Sequence, residues 1–409
     1  MNKKSILSGV MLTAGTAVGA GMFSLPIVAS GMWFVWGLLC LVFVWYISYL
    51  SSIYLLEVNV RFEPGASFNT LVKRTLGKGW NTVSGAAITF LLFILLYAYF
   101  SAFGSMASST IGLEKLDDMG LSQNLLGLVL GGCLALVVWT STQLVGRIST
   151  LLVVGMTGTF LLSMSGFAWQ VEVTTLLNTI GQSDDYFWYI WAAIPYFLTS
   201  FGFSAIVPSL YKFYGKEPME IKKAILLGSL IALIVYALFL FVVFGNISRD
   251  AFVAINESGG NMGVLVNALT DTGERDFLNT ALTVFSNFAI VSSFLGVGLG
   301  LFDYMADLFS FADTPRERLF TAMVTFLPPG LLSFLFPNGF IIAIGYAGVV
   351  CAFVLFLVPF LMVRKVRAMT GQSIYQVEGG NSLLIFFAIS SIATILLKVL
   401  SMLGYLPEW

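Results

Sequence analysis

Histidine is absent from all 409 residues of the chain. With it go the commonest general base and the commonest metal ligand, and most hydrolase and metalloenzyme mechanisms. Cysteine is scarce as well. Cys40, Cys133 and Cys351 lie far apart inside apolar runs without CxxC spacing, which speaks against a disulfide framework and a metal cluster. Charge is the third scarcity, at 10% of residues and a net of −1. No basic cluster with interleaved aromatics offers a nucleic-acid surface, and neither phosphate-cradling glycine motif, G-x-x-x-x-G-K-[ST] or G-x-G-x-x-G, is present. No cofactor, no metal and no obligate protein partner is expected.

What fills the chain instead is apolar: 58% hydrophobic residues and a mean hydropathy of +0.92. Such a composition belongs in a lipid bilayer. The first apolar run follows "MNKK" directly and has no small-residue cleavage pattern, so it is expected to stay as a first membrane helix. A ruler of about 20 apolar residues per bilayer core gives eleven candidate spans: 7–30, 33–56, 83–110, 124–141, 148–169, 189–210, 223–245, 277–305, 319–336, 340–362 and 382–403. The fourth and ninth are short, and the eighth is long enough to tilt.

The loops test that division, because Lys and Arg collect on the cytoplasmic side. With the N-terminus inside, sixteen fall in cytoplasmic segments: Lys3, Lys4, Arg61, Lys73, Arg74, Lys78, Arg147, Lys212, Lys216, Lys222, Lys223, Arg316, Arg318, Arg364, Lys365 and Arg367. Only three, Lys115, Arg249 and Arg275, fall opposite, beside the acidic Glu114, Asp117, Asp118, Glu172, Asp184 and Asp185. Lys398 is expected to snorkel from the last span. The C-terminus then lies outside. In the loop after span two, Phe68, Leu71, Val72 and Leu76 at helical spacing predict a short interfacial helix. The outer loop 246–276 is similar in character and suited to covering a vestibule.

Span one contains "GTAVGAGMFSLP", and span six is interrupted likewise by Pro195, Gly202 and Pro208. Glycine and proline cost a helix about 1 and 3 kcal/mol against alanine. Two five-helix repeats would make spans one and six equivalent, and an odd number of helices turns the repeats over relative to each other. Matching broken helices then mark a transporter's site. The freed backbone suits a zwitterion: N–H groups near Gly19, Ala20 and Gly21 for a carboxylate, and carbonyls near Ala14, Gly15 and Thr16 for an ammonium. Ser200, Phe201, Gly202, Phe203 and Ser204 complete the amine site. The rival reading is that Gly15 and Gly19 form a G-x-x-x-G packing motif; the paired interruption in span six favours the substrate site.

The segments "AGTAVGAGMFSLP", "FNTLVKRTLGKGWN", "LLYAYFSAFG", "TSFGFSAIVPSLYKFYGK", "VFSNFAIVSSFLGVGLGLFDYMADLF" and "FLFPNGFIIAIGYAG" resemble the hydroxy and aromatic amino acid permeases of the amino acid/polyamine/organocation superfamily, most closely bacterial tryptophan permeases. The likeness runs from about residue 8 to the end. It implies an all-α integral membrane protein of 11 transmembrane helices with a leucine-transporter-like 5+5 inverted repeat, helices 1 and 6 broken and one C-terminal helix added. The single transporter domain, 1–409, then divides into repeats 7–169 and 189–362 and the extra helix 382–403. It also implies symport of an aromatic amino acid into a bacterium across the inner membrane, coupled to protons. Family members commonly carry histidine where this chain has Ser204, so coupling through that histidine does not transfer.

Tyr97, Tyr99 and Phe103 in span three are candidate walls of the pocket, with packing as the rival role. Ser286, Asn287, Ser292 and Ser293 bring polar groups to membrane depth in span eight, where interhelical hydrogen bonding is the plainer role. In the similar fold, hydroxyls of span eight face the break of span one, so Ser292 and Ser293 mark a sodium site should sodium replace the proton. Glu57, Asp303 and Asp307 are ionisable residues near the cytoplasmic face. Pairing with Lys3, Lys4 or Arg147 as an inner gate competes with proton carriage, the gate being favoured for Asp303. A channel lacks its charged ring or carbonyl filter here, an enzyme lacks its constellation, and a sensor lacks a signalling domain.

Overall fold

The computed structural model describes residues 6–111, 121–179, 186–272, 276–312, 314–369 and 375–407. Lys3, Lys4, Glu114, Lys115, Asp117, Asp118, Asp184, Asp185 and Arg275 therefore lie outside the described residues.

The first span is two helices, α1 (Ile6–Ala17) and α2 (Ser24–Ala29), with a 3-10 turn over Ala20–Phe23 between them. Span two is α3 (Trp33–Asn59), followed by the interfacial helix α4 (Phe68–Thr75). Ser67 caps α4 by accepting from the Thr70 N–H, and Leu71, Val72 and Thr75 form its buried face. Then come α5 (Lys78–Ile111), α6 (Leu121–Thr140), α7 (Thr142–Ala168) and the short α8 (Val173–Leu176). The sixth span is α9 (Ile190–Ser200), a 3-10 turn over Gly202–Ile206 and α10 (Val207–Tyr214). Beyond it, α11 (Pro218–Asn246) leads to α12 (Ala251–Glu257) and α13 (Met262–Thr270), which occupy the expected covering loop. The chain continues through α14 (Asp276–Phe309) and α15 (Pro315–Leu335). Then α16 (Phe340–Cys351) passes through a π turn into α17 (Val358–Arg367), and α18 (Gly380–Met402) is the last helix.

Among the described residues ten helical stretches are long and apolar enough to cross a bilayer, and the bent first pair makes an eleventh. The count matches the expected spans, and the protein is a multi-pass integral membrane protein. Boundaries differ where polar turns extend a helix beyond its apolar run. Helix α5 starts at Lys78 rather than 83, because Lys78 and Trp80 stand exposed at the bundle's end, outside the reach of a hydrophobic ruler. Helices α5 and α14 have 34 residues each, about 51 Å at ~1.5 Å per residue, so they tilt or project beyond a ~30 Å core.

Arg61, Lys73, Lys78, Lys212, Lys222, Arg316 and Arg364 gather at one end of the bundle, called here the basic end. Lys398 departs from its expectation. Rather than snorkelling, it is buried, and its ammonium donates to the Tyr196 hydroxyl at 2.8 Å. A cation facing a neighbouring helix is stabilised by the hydroxyl and by the Tyr196 ring 4.5 Å away.

Glycine also serves close packing away from the first break. A Cβ on Gly228 of α11 would fall 2.6 Å from the Val10 carbonyl oxygen of α1, and one on Gly348 of α16 would strike the Pro195 carbonyl of α9. These contacts hold the scaffold tight around both broken spans.

Candidate functional site

Gly19 is fully extended, with φ −168° and ψ −165°, and interrupts the hydrogen-bond ladder of span one. The Ala14 carbonyl is already used, since it accepts from the Val18 N–H at 2.9 Å. Ala14 is buried and outside the cavity, so the acceptors the break exposes lie further along, at Gly15 and Thr16. The first N–H beyond the break, on Ala20, donates to Ser293 Oγ at 3.0 Å. The Gly21 carbonyl accepts from Ser24 Oγ at 2.7 Å and from Ser200 Oγ at 3.1 Å, the second bond joining the two broken spans.

A second joint was missed in the sequence. Tyr236 of α11 is fully buried, its hydroxyl 2.6 Å from the Ala17 carbonyl and 2.8 Å from the Ser200 carbonyl. Having one proton, it donates to one of them at a time. Both carbonyls end a half-helix, and a buried carbonyl without a donor costs about 1–3 kcal/mol. The available signal was a lone hydroxyl in "LIALIVYALFLFVVF".

Between the breaks lies a cavity of about 520 Å³. Gly15, Thr16, Gly19, Ala20 and Gly21 line it from span one, Ser200 and Gly202 from span six, and Ser292 and Ser293 from α14. Leu91, Leu95, Val153, Ile344 and Leu355 supply apolar wall. No Asp, Glu, Lys or Arg is among its described lining residues. A Cβ on Gly15 would meet nothing within 4 Å, and one on Gly202 only Leu355 Cδ1 at 4.0 Å. Gly15 therefore packs against nothing and bares its backbone to the cavity, so of the G-x-x-x-G pair only Gly19, close to Ser293 Oγ, has a packing role. Exposed Gly15, Thr16, Ala205 and Gly296 place the opening toward the basic end. In the other direction buried Phe23 packs on Phe239 and Phe285, with ring centroids 5.4 and 5.6 Å away, and closes the path.

Span three presents Tyr99 to the cavity, not Tyr97 or Phe103. Two residues apart on a helix point roughly 200° away from each other, so only one of the two tyrosines can face inward. The Tyr97 hydroxyl donates to the Phe336 carbonyl at 2.9 Å, beside a groove on the bundle's flank. Phe103 is buried against Phe294, 5.6 Å between centroids. Phe201 and Phe203 are buried behind the second break, where Phe201 packs 5.0 Å from the Tyr236 ring. Ser204 is buried and outside the lining, and Asn287 turns its amide to the Thr283 carbonyl at 2.8 Å.

Among the carboxylates, Glu57 is 1% exposed and receives both arms of Arg367, at 2.7 and 2.9 Å, together with the Val377 N–H at 2.9 Å. Arg147, one of its expected partners, is instead exposed on α7, and Lys3 and Lys4 lie outside the described residues. Asp303 and Asp307 are exposed on the last turns of α14, at the basic end. No group of three or more His, Cys, Asp and Glu capable of holding a metal occurs among the described residues.

The chain is similar throughout its length to known transport proteins. The tryptophan/tyrosine permease family profile matches residues 2–398. A tryptophan-specific transport protein of Pseudomonas aeruginosa is 44% identical over 410 residues, covering 100% of this chain and 97% of that protein. One of Shigella flexneri is 42% identical, covering 99% and 97%. A tyrosine permease of Enterobacter agglomerans is 37% identical, covering 99% and 98%. A match across nearly the whole chain, over a bundle with two broken helices facing one cavity, leaves one assignment: the chain belongs to the tryptophan/tyrosine permease family.

Proposed function

We propose that the chain is a proton-coupled symporter importing an aromatic amino acid, tryptophan first, across the inner membrane of a bacterium by alternating access. Its family is one of transporters, not enzymes. The observation that carries the reading is the cavity of about 520 Å³ bounded by both helix breaks and free of ionised side chains among its described lining residues. Such a volume lies within the range of small-molecule sites, about 300–1,000 Å³. The substrate carboxylate is placed at the N-terminal turn that begins after Gly19, where the backbone dipole is positive. The ammonium is placed at the carbonyls of Gly15 and Thr16, and the ring against Leu91, Leu95, Val153 and Ile344.

Spans one to five and six to ten act as inverted repeats in this reading, with α18 added outside them. The N-terminus is cytoplasmic and the C-terminus periplasmic, which makes the basic end the cytoplasmic one and the present conformation inward-open. Tyrosine is the second substrate, supported by the tyrosine permease of Enterobacter agglomerans. Sodium is the second coupling ion, supported by Ser292 and Ser293 on the cavity wall beside the first break.

Labelled tryptophan uptake into liposomes of purified protein tests the reading, under an inward proton gradient, an inward sodium gradient, or neither. Proton-driven, saturable accumulation blocked by aromatic amino acids and not by serine is expected. Sodium-driven accumulation would replace the coupling ion, and no saturable uptake of any amino acid would overturn the site.

A further inference from the structure

A second cavity, about 760 Å³, lies on the bundle's flank between α5, α14 and α15 rather than at the breaks. Phe90, Leu308 and Leu332 on its rim are 48%, 57% and 46% exposed, so in a membrane it opens to lipid. Along α5 its wall runs from Asn81 to Tyr97, about 24 Å at ~1.5 Å per residue, longer than one leaflet's ~15 Å share of the core. An acyl chain entering at one end can lie along it in full.

The two ends of the groove differ. At the Tyr97 end the walls are apolar, and the Tyr97 hydroxyl is spent on Phe336. The polar lining collects at the other end as Asn69, Asn81 and Thr82. Asn81 Oδ1 is buried there with no hydrogen-bond partner, an acceptor that wants a donor. Lys73 on α4 and Lys78 at the start of α5 stand exposed near that end, with Trp80, 38% exposed, marking the interface. Cations at this level attract an anionic headgroup.

We propose that this groove is a binding site for one anionic glycerophospholipid whose headgroup carries hydroxyls. The acyl chain lies along α5 against Phe93 and Pro328, the phosphate meets Lys73 and Lys78, and the Asn81 side chain turns its buried Oδ1 into the groove to accept from a headgroup hydroxyl. A choline headgroup has no donor for that oxygen, and an ethanolamine headgroup brings a positive charge toward the lysines. The site is separate from the central cavity and does not depend on which substrate is carried.

Native mass spectrometry of the whole protein, released from bilayers holding equal phosphatidylglycerol, phosphatidylethanolamine and phosphatidylcholine, tests it. One phosphatidylglycerol is expected to be retained at least fivefold over either other lipid. Asn81→Leu should reduce that preference severalfold, and Lys78→Gln, a surface change that leaves the fold alone, should weaken it more at low salt than at high. Equal retention of the three lipids, or a preference untouched in both variants, would overturn the proposal.

Discussion

Span one turns by 48° at its break, whereas span six passes through its own within a single 29-residue helical stretch, Tyr186–Tyr214. The residues explain the contrast. Gly19 takes an extended conformation, and its missing side chain leaves room for Ser293; a Cβ there would come 2.6 Å from Ser293 Oγ. In span six the irregular residue is Phe201, at φ −104° and ψ 34°, and its ring is buried behind the break. Span one thus opens its backbone by bending, while span six continues as one helical stretch, holds Phe201 and Phe203 behind its break and lines the cavity with Ser200 and Gly202. In the proposed site the bent element would be the one that responds to a bound ligand, with span six as its reference surface.

Substitutions that treat the two breaks differently test this division. Gly19→Val is expected to have the largest effect, loss of uptake by more than ~100-fold, because the added group displaces Ser293 Oγ from its bond to the Ala20 N–H and covers the backbone that the break exposes. Monodisperse elution with unchanged helix content would separate a lost site from a lost fold. Near-normal uptake would mean that span one does not need its close approach to α14.

Tyr236→Phe is expected next. It leaves the Ala17 and Ser200 carbonyls without their shared donor while keeping the ring against Phe201. Loss of a hydrogen bond worth about 1–1.5 kcal/mol predicts roughly 10-fold slower transport, read as maximal rate, with little change in substrate affinity. A change confined to affinity would turn the tyrosine from a joint between the breaks into part of the binding surface. Gly202→Ala should do least at the site: its Cβ reaches only Leu355 Cδ1 at 4.0 Å. Competition binding is expected to show affinity falling about threefold with the maximal rate kept. A loss as deep as that from Gly19→Val would make the two breaks equal partners.

The same contrast shows what could be read from the chain in advance. Glycine and proline are local signals, so both breaks and the eleven apolar stretches were visible as composition. Helix phase was not. Buried helices that are apolar all round carry no stripe from which to orient Tyr97, Tyr99 and Phe103, and the choice of Tyr99 was left to packing. The π turn over Ala352–Leu357 has no composition mark either. Pairings across the chain were equally hidden: Tyr236 with Ala17, and Glu57 with Arg367, are separated by 219 and 310 residues.

Glu57 provides the smallest expected effect on transport, and the argument runs through its neighbours. Its two oxygens accept three hydrogen bonds, two from Arg367 and one from the Val377 N–H, and Arg367 also donates to the Gly380 carbonyl. These contacts tie the end of α3 to α17 and to the segment leading into α18, away from the described lining of the cavity. Carrying a proton through each cycle would require these three hydrogen bonds to break and re-form every time. Glu57→Gln should therefore lower stability, by about 3 kcal/mol for breaking one side of a buried ion pair, visible as a lower melting temperature in detergent. Per folded molecule, the dependence of uptake on the proton gradient should be unchanged. If the variant instead kept its melting temperature and transported without responding to the gradient, Glu57 would be the coupling group, and the broken helices alone would not account for driven transport.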